Sequence, residues 1–255
     1  MVPASGLVGA REKNAHQAQE LRTEKNLMLS RLPPTELKAI LEISSQVGCD
    51  VREVLFATGQ KIKNVYFPLT GMISLVTQLK DGNSVEAMTV GCEGFAGLPI
   101  FHGVPSARAH AMIQIKGFFL TMPSESFSRV LRQTPQLSAV LHRYSQLSQE
   151  AIAQSAACIS MHLIEQRCAR WLLITSDAVR STEFPLTHEF LSQMLAVRRP
   201  GVTVAIGELE RARLISHRYG RIAIIDKEGL EKAACECYRT IKDREMELLS
   251  YRGAA

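Results

Sequence analysis

Residues 184–225 constrain the fold of this chain most, because helix, turn and hairpin signals follow one another there in a fixed order. Thr187 carries a hydroxyl suited to cap the start of a short helix. Apolar residues then recur at helical spacing, at Phe190, Leu191, Met194 and Leu195. Arg198-Arg199-Pro200 opens a second helix, because the first helical turn can spare the N–H that proline lacks. The order predicts a helix-turn-helix.

A hairpin is predicted directly after this helix pair. Ser216–Arg221 is a polar turn that contains a glycine, and β-prone apolar runs stand on both sides of it. Beside a helix-turn-helix such a hairpin is a wing, so we expect His217, Arg218 and Arg221 to lie along a sugar-phosphate backbone. An ordinary helical pair with a solvated basic turn is the alternative when this stretch is considered alone.

The placement of charge favours a nucleic-acid partner more than the total does. Residues 187–225 carry six Lys/Arg and three acids, whereas the net charge of the whole chain is only +5. Arg198 and Arg199 stand at the start of the second helix, where they can reach guanine edges or phosphates. Thr203 adds little bulk near that end, and Val204 is expected to point outward.

The amino-terminal half has a different pattern, in which short β-prone runs alternate with glycine turns. The runs are Val51–Phe56, Asn64–Leu69, Met72–Leu79, Ser84–Val90, Ala109–Ile115 and Phe118–Met122. Asp81-Gly82 is a strong hairpin signal between two of them. Short helices are expected over 26–32, 34–45 and 123–132. Many short strands with frequent turns predict a sandwich or jelly roll.

A long helix is predicted from Pro135 to about residue 160. Largely apolar residues repeat there as in a coiled coil, at Leu137, Val140, Tyr144, Leu147, Ala151, Gln154 and Cys158. We expect this stripe to be a dimer seam, with Gln154 as a polar position that sets the register. The alternative is that the stripe packs only on the β-domain of the same chain.

Together the segments predict an α+β chain: a flexible arm over 1–25, a β-rich effector domain over 26–134, a dimerisation helix over 135–160 and a winged helix-turn-helix domain over 161–255. The first 26 residues are polar and charged, without the apolar core of a targeting segment. No run approaches the ~20 apolar residues that span a bilayer. We therefore expect a cytoplasmic protein with no membrane partner.

The six cysteines are scattered along the chain. Cys235 and Cys237 are separated by one residue, which is poor spacing for a zinc knuckle or a cluster, so we expect structural thiols in a reducing compartment and no metal site. Serine, histidine and acidic residues form no catalytic constellation, and no phosphate-cradling loop is present. The sequence predicts that the chain is not an enzyme.

Three segments together resemble the CRP/FNR family of bacterial transcription regulators. They are NVYFPLTGMISLV (64–76), VGCEGFAGLPIFHG (90–103) and the winged region from Phe184 to Asp226. The resemblance implies a cyclic-nucleotide-binding-like β-roll, a long dimerisation helix and a carboxyl-terminal winged helix-turn-helix. It also implies a homodimer on a double-stranded DNA operator with half-sites about one turn apart, and RNA polymerase as a partner.

The resemblance carries roles to individual positions. Thr187 and His188 fall where the family touches phosphates, and Arg199 falls at a base-reading arginine. Pro200 stands where the family usually has an acid, and Val204 stands where it has a further base-reading arginine. Both departures remove polar readers, so we expect a different operator preference, with Val204 on a thymine methyl.

The effector segment departs further from the family pattern. Cyclic-nucleotide binders of the family use Gly-Glu-Leu and then Arg-Ser-Ala, whereas this chain has no acid after Gly94. The candidate effector residues are Glu93, Gly94, Gly97, Ser106 and Arg108. A phosphate contact by Arg108 remains open, but the pattern argues against a cyclic nucleotide.

Other cofactors are also disfavoured. Residues 1–48 contain no cysteine for the family's iron–sulfur cluster. Haem would have only the isolated candidates Cys92, His102 and His110. The cofactor is left unknown.

Two hypotheses remain for function. The first is a homodimeric, sequence-specific DNA-binding transcription regulator under the control of an unidentified effector in the β-roll. The alternative is a ligand-binding module of the cyclic-nucleotide fold that regulates a protein partner. Charge reversal at Arg198 and Arg199 separates them, because only the first needs these side chains.

Overall fold

The computed structural model describes residues 25–80, 82 and 84–250. The predicted arm over 1–25 therefore lies outside the described residues except for Lys25, and so does Asp81 of the predicted hairpin turn. Within the described residues, every helix is too short or too polar to cross a bilayer.

The amino-terminal part is a β-roll of antiparallel strands with short helices at its ends. A 3-10 turn at Leu29–Arg31 comes first. The elements that follow are α1 (Pro34–Leu41), β1 (Ser45–Cys49), β2 (Val54–Phe56), β3 (Asn64–Pro68), β4 (Met72–Gln78), β5 (Ser84–Val90), α2 (Leu98–Phe101), β6 (His110–Ile115), β7 (Gly117–Pro123) and α3 (Ser124–Val130). One sheet has the order β1-β7-β3 and the other β2-β6-β4-β5. The α+β fold class and the β-roll are confirmed.

Strand β1 is an element that the sequence pattern assigned wrongly. Residues 34–45 were expected to form one helix, but α1 ends at Leu41 and Ser45 already pairs with Thr121 of β7. The strand Ser45–Cys49 has no clear alternation of buried and exposed residues. Its backbone hydrogen bonds with β7 decide its conformation, and these are tertiary contacts.

One glycine of the roll is required by a close approach. Gly71 joins β3 to β4 with a φ of +79°. A Cβ added there would lie 2.5 Å from the carbonyl oxygen of Ile115. Only glycine combines this left-handed conformation with such proximity to another turn.

The long helix α4 (Pro135–Met161) lies against the roll rather than apart from it. Its residues Leu137, Leu141, Tyr144 and Leu147 belong to one buried cluster with side chains of the roll. In that cluster the ring of Phe95 is tilted against Phe67, with centroids 4.7 Å apart, and stacks on Phe127, with centroids 5.1 Å apart.

These contacts correct the expected dimer seam. Six of its residues are buried within the single chain: Leu137, Val140, Tyr144, Leu147, Ala151 and Cys158. Gln154 donates a hydrogen bond from Nε2 to Sγ of Cys237 at 3.0 Å. The heptad pattern correctly marked a continuous apolar stripe. A heptad pattern does not specify what an apolar stripe packs against, and here the stripe packs against other elements of the same chain.

The carboxyl-terminal part is a helical unit with a small sheet. Its elements are α5 (Ile164–Val179), β8 (Glu183–Pro185), α6 (His188–Met194), α7 (Arg199–Arg211), β9 (Ile215–Arg218), β10 (Arg221–Ile224), α8 (Lys227–Ala233) and α9 (Cys237–Ser250). The sheet has the order β8-β10-β9. Helix α9 returns to pack along α4, where Arg244 forms an ion pair with Glu150 at 2.6 Å. The predicted winged helix-turn-helix fold is confirmed.

A polar contact joins the roll to α5. The indole Nε1 of Trp171 donates to Glu86 Oε1 at 2.9 Å, and Ser74 Oγ lies 2.6 Å from Glu86 Oε2. The Ser74 hydroxyl also contacts the side-chain amide oxygen of Gln114. Burial raises the pKa of Glu86 to about 7, against the opposing effect of the hydrogen bonds that Ser74 and Trp171 donate to its carboxylate.

This contact predicts a pH-dependent stability. The folded state holds the Glu86 proton more tightly than the unfolded state, so its contribution is complete below about pH 4.5 and is lost as pH rises through about 7. The loss is expected to be on the order of 2 kcal/mol. Glu86→Gln, which mimics the protonated acid, should remove this part of the slope. Urea unfolding between pH 4.5 and 7.5 measures it through the fluorescence of Trp171, the single tryptophan. Equal slopes for the native chain and the variant would contradict the assignment.

Candidate DNA interface

The helix pair α6 and α7 forms as its sequence predicts. The Thr187 hydroxyl accepts a hydrogen bond from the Phe190 amide at 3.2 Å, which caps α6. Helix α7 starts at Arg199 with Pro200 in its first turn. One face of α7 packs on α5 through the buried residues Val202, Ala205, Ile206 and Leu209. This packing leaves the opposite face of α7 open.

A buried arginine fixes the corner between the two helices. Arg167 of α5 is almost fully buried and donates from Nη2 to the carbonyl oxygen of Leu195. That carbonyl lies where α6 ends, and its direction sets where α7 begins. Sequence reasoning missed Arg167. A basic residue within an apolar helical stripe was the available signal.

The exposed face of α7 carries the predicted DNA-contacting residues. Arg198, Arg199, Pro200, Thr203 and Val204 are all exposed. Val204 leaves 56% of its surface open, which confirms that it points outward. An aliphatic side chain exposed on an otherwise polar helix face is suited to contact a thymine methyl.

The wing is a tight two-residue hairpin. Arg218 pairs with Arg221, and the loop residues Tyr219 and Gly220 have φ of +51° and +70°. Positive φ at both positions is typical of the type I′ turn that closes twisted hairpins. Tyr219 is completely exposed at the tip. Sequence reasoning gave it no role, although an aromatic residue in a two-residue turn has no packing reason to be there.

Two histidines join the wing to the helix pair. The rings of His188 and His217 stack with centroids 4.6 Å apart. Nδ1 of His188 lies 3.0 Å from the Thr203 hydroxyl, and the His217 amide donates to Glu210 Oε1 at 2.7 Å. Burial, then His217 and Arg199, lower the pKa of His188, so its ring is neutral near pH 7. These three predicted contact residues therefore also position the wing against α7.

The basic side chains of this surface differ in their availability. Arg221 forms an ion pair with Glu183 at 2.6 Å, and Arg211 is held by both oxygens of Glu208. Within the part of the chain that the structure describes, Arg198, Arg199 and Arg218 take part in no ion pair. Three unneutralised guanidinium groups on one surface are suited to bind phosphates and guanine edges.

The candidate effector residues separate into two places. Glu93 lines a cavity of about 170 Å³ between the roll, α4, α5 and α9. Gly97 and Arg108 line a smaller cavity of about 70 Å³ beside Tyr144. Both are smaller than the ~300–1,000 Å³ of typical ligand sites. The fold thus keeps Glu93 and Arg108 apart, rather than on one ligand.

The other two candidates have structural roles. A Cβ added at Gly94 would lie 2.5 Å from the Tyr144 hydroxyl, so Gly94 permits α4 to approach the roll. Ser106 forms a bridge with Lys61 at the edge of the roll.

The larger cavity has partly buried charges that sequence reasoning missed. The ammonium of Lys242 lies 3.4 Å from Asp177 and 3.5 Å from Glu245. Burial, and then the Glu245 carboxylate, raise the pKa of Glu93. Lys242 and Glu245 belong to α9, more than a hundred residues from Glu93, so no local pattern connects them.

The geometry defines a winged helix-turn-helix unit carried by a β-roll. Residues 166–233 match the family model described as the Crp-like helix-turn-helix domain. The carboxyl-terminal part of the chain is thus a Crp-like helix-turn-helix domain, and the chain has the fold of the CRP/FNR regulators. The resemblance predicted from the sequence motifs is confirmed.

Solved structures share this fold at low sequence identity. FixK2 from Bradyrhizobium japonicum is 15% identical with a TM-score of 0.65, covering 76% of this chain and 98% of its own. TTHB099, a CRP-family transcriptional regulator from Thermus thermophilus, is 19% identical with a TM-score of 0.58, covering 74% and 96%. The c-di-GMP-responsive regulator CLP from Xanthomonas campestris is 14% identical with a TM-score of 0.60, covering 75% and 99%. No curated protein matches the chain.

Proposed function

We propose that this chain is a sequence-specific, DNA-binding transcription regulator that acts as a homodimer. The observation that carries the proposal is the surface formed by Arg198, Arg199 and Arg218, whose cations have no ion-pair partner among the described residues. A basic surface that is not neutralised attracts a polyanion and raises its local concentration. The Crp-like domain match agrees with this use.

The docking follows from the arrangement of α7 and the wing. The first turn of α7 enters the major groove, where Arg198 and Arg199 reach guanine edges or phosphates and Val204 meets a thymine methyl. Thr187, at the start of α6, and Arg218, in the wing, hold the flanking phosphates. The exposed ring of Tyr219 lies along the sugar-phosphate backbone.

The proposed dimer uses a different face of α4 from the seam that the heptads suggested. Ile152 and Ile159 are 44% and 40% exposed, and their seven-residue spacing places them on one face of α4. Exposed Ala156 lies between them and permits close approach of a second helix. Met161 and Leu163 extend this apolar surface past the end of α4. A pair of chains joined here doubles the DNA contacts that one wing module makes.

Selection of bound sequences from a random duplex library, followed by footprinting, tests this function. We expect a two-fold symmetric site whose half-sites are about 10 base pairs apart, with affinity that falls steeply between 50 and 200 mM salt. A matched duplex of scrambled sequence is the control. Failure to enrich any sequence at low salt, with and without cell-extract small molecules, would argue against the proposal.

Replacing Val204 tests the proposed base contact. Val204→Ala removes two methyl groups from the exposed face of α7, so we expect about fivefold weaker binding and a loss of preference at one base pair of each half-site. Ile225→Ala, another exposed aliphatic residue but outside α7, is the control. Identical selected sequences for native and Val204→Ala proteins would rule out this contact.

The effector is proposed to act through the larger cavity. Its mixture of Glu93, Arg170, Lys242 and Glu245 is suited to a small ligand that carries charge or several polar groups. The cavity touches the roll, α4, α5 and α9, so a bound molecule can shift the DNA-binding unit relative to the roll. By family resemblance, RNA polymerase is the proposed protein partner, and the cytoplasm is the proposed location.

A further inference from the structure

The fold gathers thiols and an imidazole that lie far apart in sequence. Within the described residues, Cys158, His162, Cys235 and Cys237 place their ligand atoms within 4.8 Å of one another. Cys158 lies near the end of α4, and His162 directly follows that helix. Cys235 lies between α8 and α9, and Cys237 is the first residue of α9. The spacing of Cys235 and Cys237 alone gave no reason to expect a metal, but two ligands come from the other end of the domain.

Two of the six distances between the ligand atoms match the edges of a tetrahedral site, and all six are within 4.8 Å. Sγ of Cys158 lies 3.5 Å from Sγ of Cys235, and Sγ of Cys237 lies 3.5 Å from Nδ1 of His162. Zinc bonds of about 2.3 Å to sulfur and 2.0 Å to nitrogen give edges of roughly 3.5–3.8 Å. An iron–sulfur cluster needs wider spacing, because its ligands bind different iron atoms. A single ion therefore fits these side chains better than a cluster.

Neighbouring groups orient the candidate ligands. Nε2 of His162 donates to the Glu236 carboxylate, at 3.2 Å from Oε1 and 3.1 Å from Oε2. This bond fixes the tautomer in which Nδ1 carries a lone pair directed at the cysteines. A carboxylate behind a histidine is the usual support of a zinc ligand. Nε2 of Gln154 also donates to Sγ of Cys237 at 3.0 Å, as amides do to metal-bound thiolates.

We propose that Cys158, His162, Cys235 and Cys237 bind one zinc ion in a closed, tetrahedral site. The three cysteines are buried in a small cluster of their own, separate from the three larger apolar clusters of the described residues. Three sulfur ligands and one nitrogen ligand leave no open position, which is typical of a structural rather than a catalytic site.

The proposed ion would connect the two ends of the DNA-binding unit. Cys158 and His162 precede residues 166–233, and Cys235 and Cys237 follow them. The site would therefore join the end of the long helix to the start of α9, on which the cavity residues Lys242 and Glu245 lie. Loss of the ion would release both ends of the unit together.

Metal analysis of the full chain tests the proposal without any DNA-binding assay. The protein is purified under reducing conditions, without chelators and without a metal-affinity tag, and its zinc and iron are measured by mass spectrometry. We expect about one zinc per chain. Exchange for Co²⁺ should give thiolate-to-cobalt charge-transfer absorption and the intense visible bands of tetrahedral cobalt. Cys235→Ser and Cys237→Ser should lose the metal, whereas Cys49→Ser, a buried thiol of β1, should keep it.

A second variant tests the proposal even if the cysteine variants fail to fold, because it leaves the four ligands unchanged. Glu236→Gln leaves all four ligands in place and changes an exposed carboxylate. We expect zinc affinity to fall about tenfold in competition with a chromophoric chelator, at the lower end of the 10–100-fold range for such supporting groups. Glu228→Gln, an exposed acid of α8, makes the same charge change and should leave the affinity as it is.

Several results would overturn the proposal. They are substoichiometric zinc with all thiols freely reactive, a Cys158–Cys235 disulfide in the protein as purified, and iron with sulfide and broad visible absorption. Full zinc retention in Cys235→Ser or Cys237→Ser would also overturn it. None of these outcomes bears on whether the chain binds an operator, so the two proposals fail or succeed separately.

Discussion

The double variant Arg198→Glu/Arg199→Glu should weaken operator binding at least about 1,000-fold near 150 mM salt. Each arginine that contacts a base edge or a phosphate contributes about 1–3 kcal/mol, and a dimer carries both residues twice. The reversed charges also repel the phosphates. Neither side chain is buried, and neither forms an ion pair among the described residues, so the fold should persist. Fluorescence anisotropy with the selected operator and a circular dichroism spectrum measure both properties.

A control with the same charge change makes this result specific. Lys38→Glu/Arg132→Glu reverses two exposed cations in the amino-terminal half and should alter affinity only severalfold. Operator binding that survives in the α7 variant to within tenfold of native would sink the proposed interface. If the native chain binds no duplex, and a protein partner is retained by the variant, the alternative of a partner-regulating module would be favoured instead.

The second large effect concerns assembly. Ile152→Glu/Ile159→Glu should convert a dimer into monomers, because it places four carboxylates in the centre of an apolar helix–helix contact. Burying an unpaired charge costs several kcal/mol, which is enough to shift a micromolar dimer to monomers. The monomer should keep its circular dichroism spectrum and lose most operator affinity. Light scattering coupled to size-exclusion chromatography measures the mass.

Two comparison variants serve as controls: one changes exposed residues outside α4, and the other changes the buried face of α4. Val51→Glu/Val104→Glu places acids at similarly exposed aliphatic positions on the roll and should leave the dimer intact. Leu147→Glu, on the stripe that heptad spacing suggested, should unfold the roll, since Leu147 is buried within the chain. A folded, monomeric Leu147→Glu protein, or a dimeric Ile152→Glu/Ile159→Glu protein, would show that the assembly uses another surface.

The sequence alone could predict the elements whose signals are local. Thr187 caps α6 and Pro200 lies in the first turn of α7, because caps and first turns depend on a few adjacent residues. The wing hairpin was also predicted, but its turn was placed at Ser216–Arg221, whereas only Tyr219 and Gly220 form the loop. The strands that alternate with glycine turns were found because their signals are also local. The outward direction of Val204 followed from helical periodicity.

The sequence alone could not predict which other element each apolar or β-prone segment packs against, because segments of similar composition can have different packing partners. Leu147 and Ile152 both belong to apolar stripes of α4, and only the packed roll shows that the first is buried and the second exposed. The sequence pattern placed Ser45 in a helix, whereas in the structure it pairs with β7 as part of a strand. Glu93 and Arg108 were both candidate effector residues, and the fold directs them to different cavities.

The largest gap between pattern and structure lies at Cys158, His162, Cys235 and Cys237. Cysteine and histidine side chains can each bind a metal, but the spacing of Cys235 and Cys237 in the sequence led us to expect no metal site. Only the tertiary structure brought them within 4.8 Å, because the return of α9 along α4 closes a distance of more than seventy residues. Local sequence fixes most of the elements, although not β1, whereas contacts between distant elements fix which side chains meet, and a ligand site depends on those contacts.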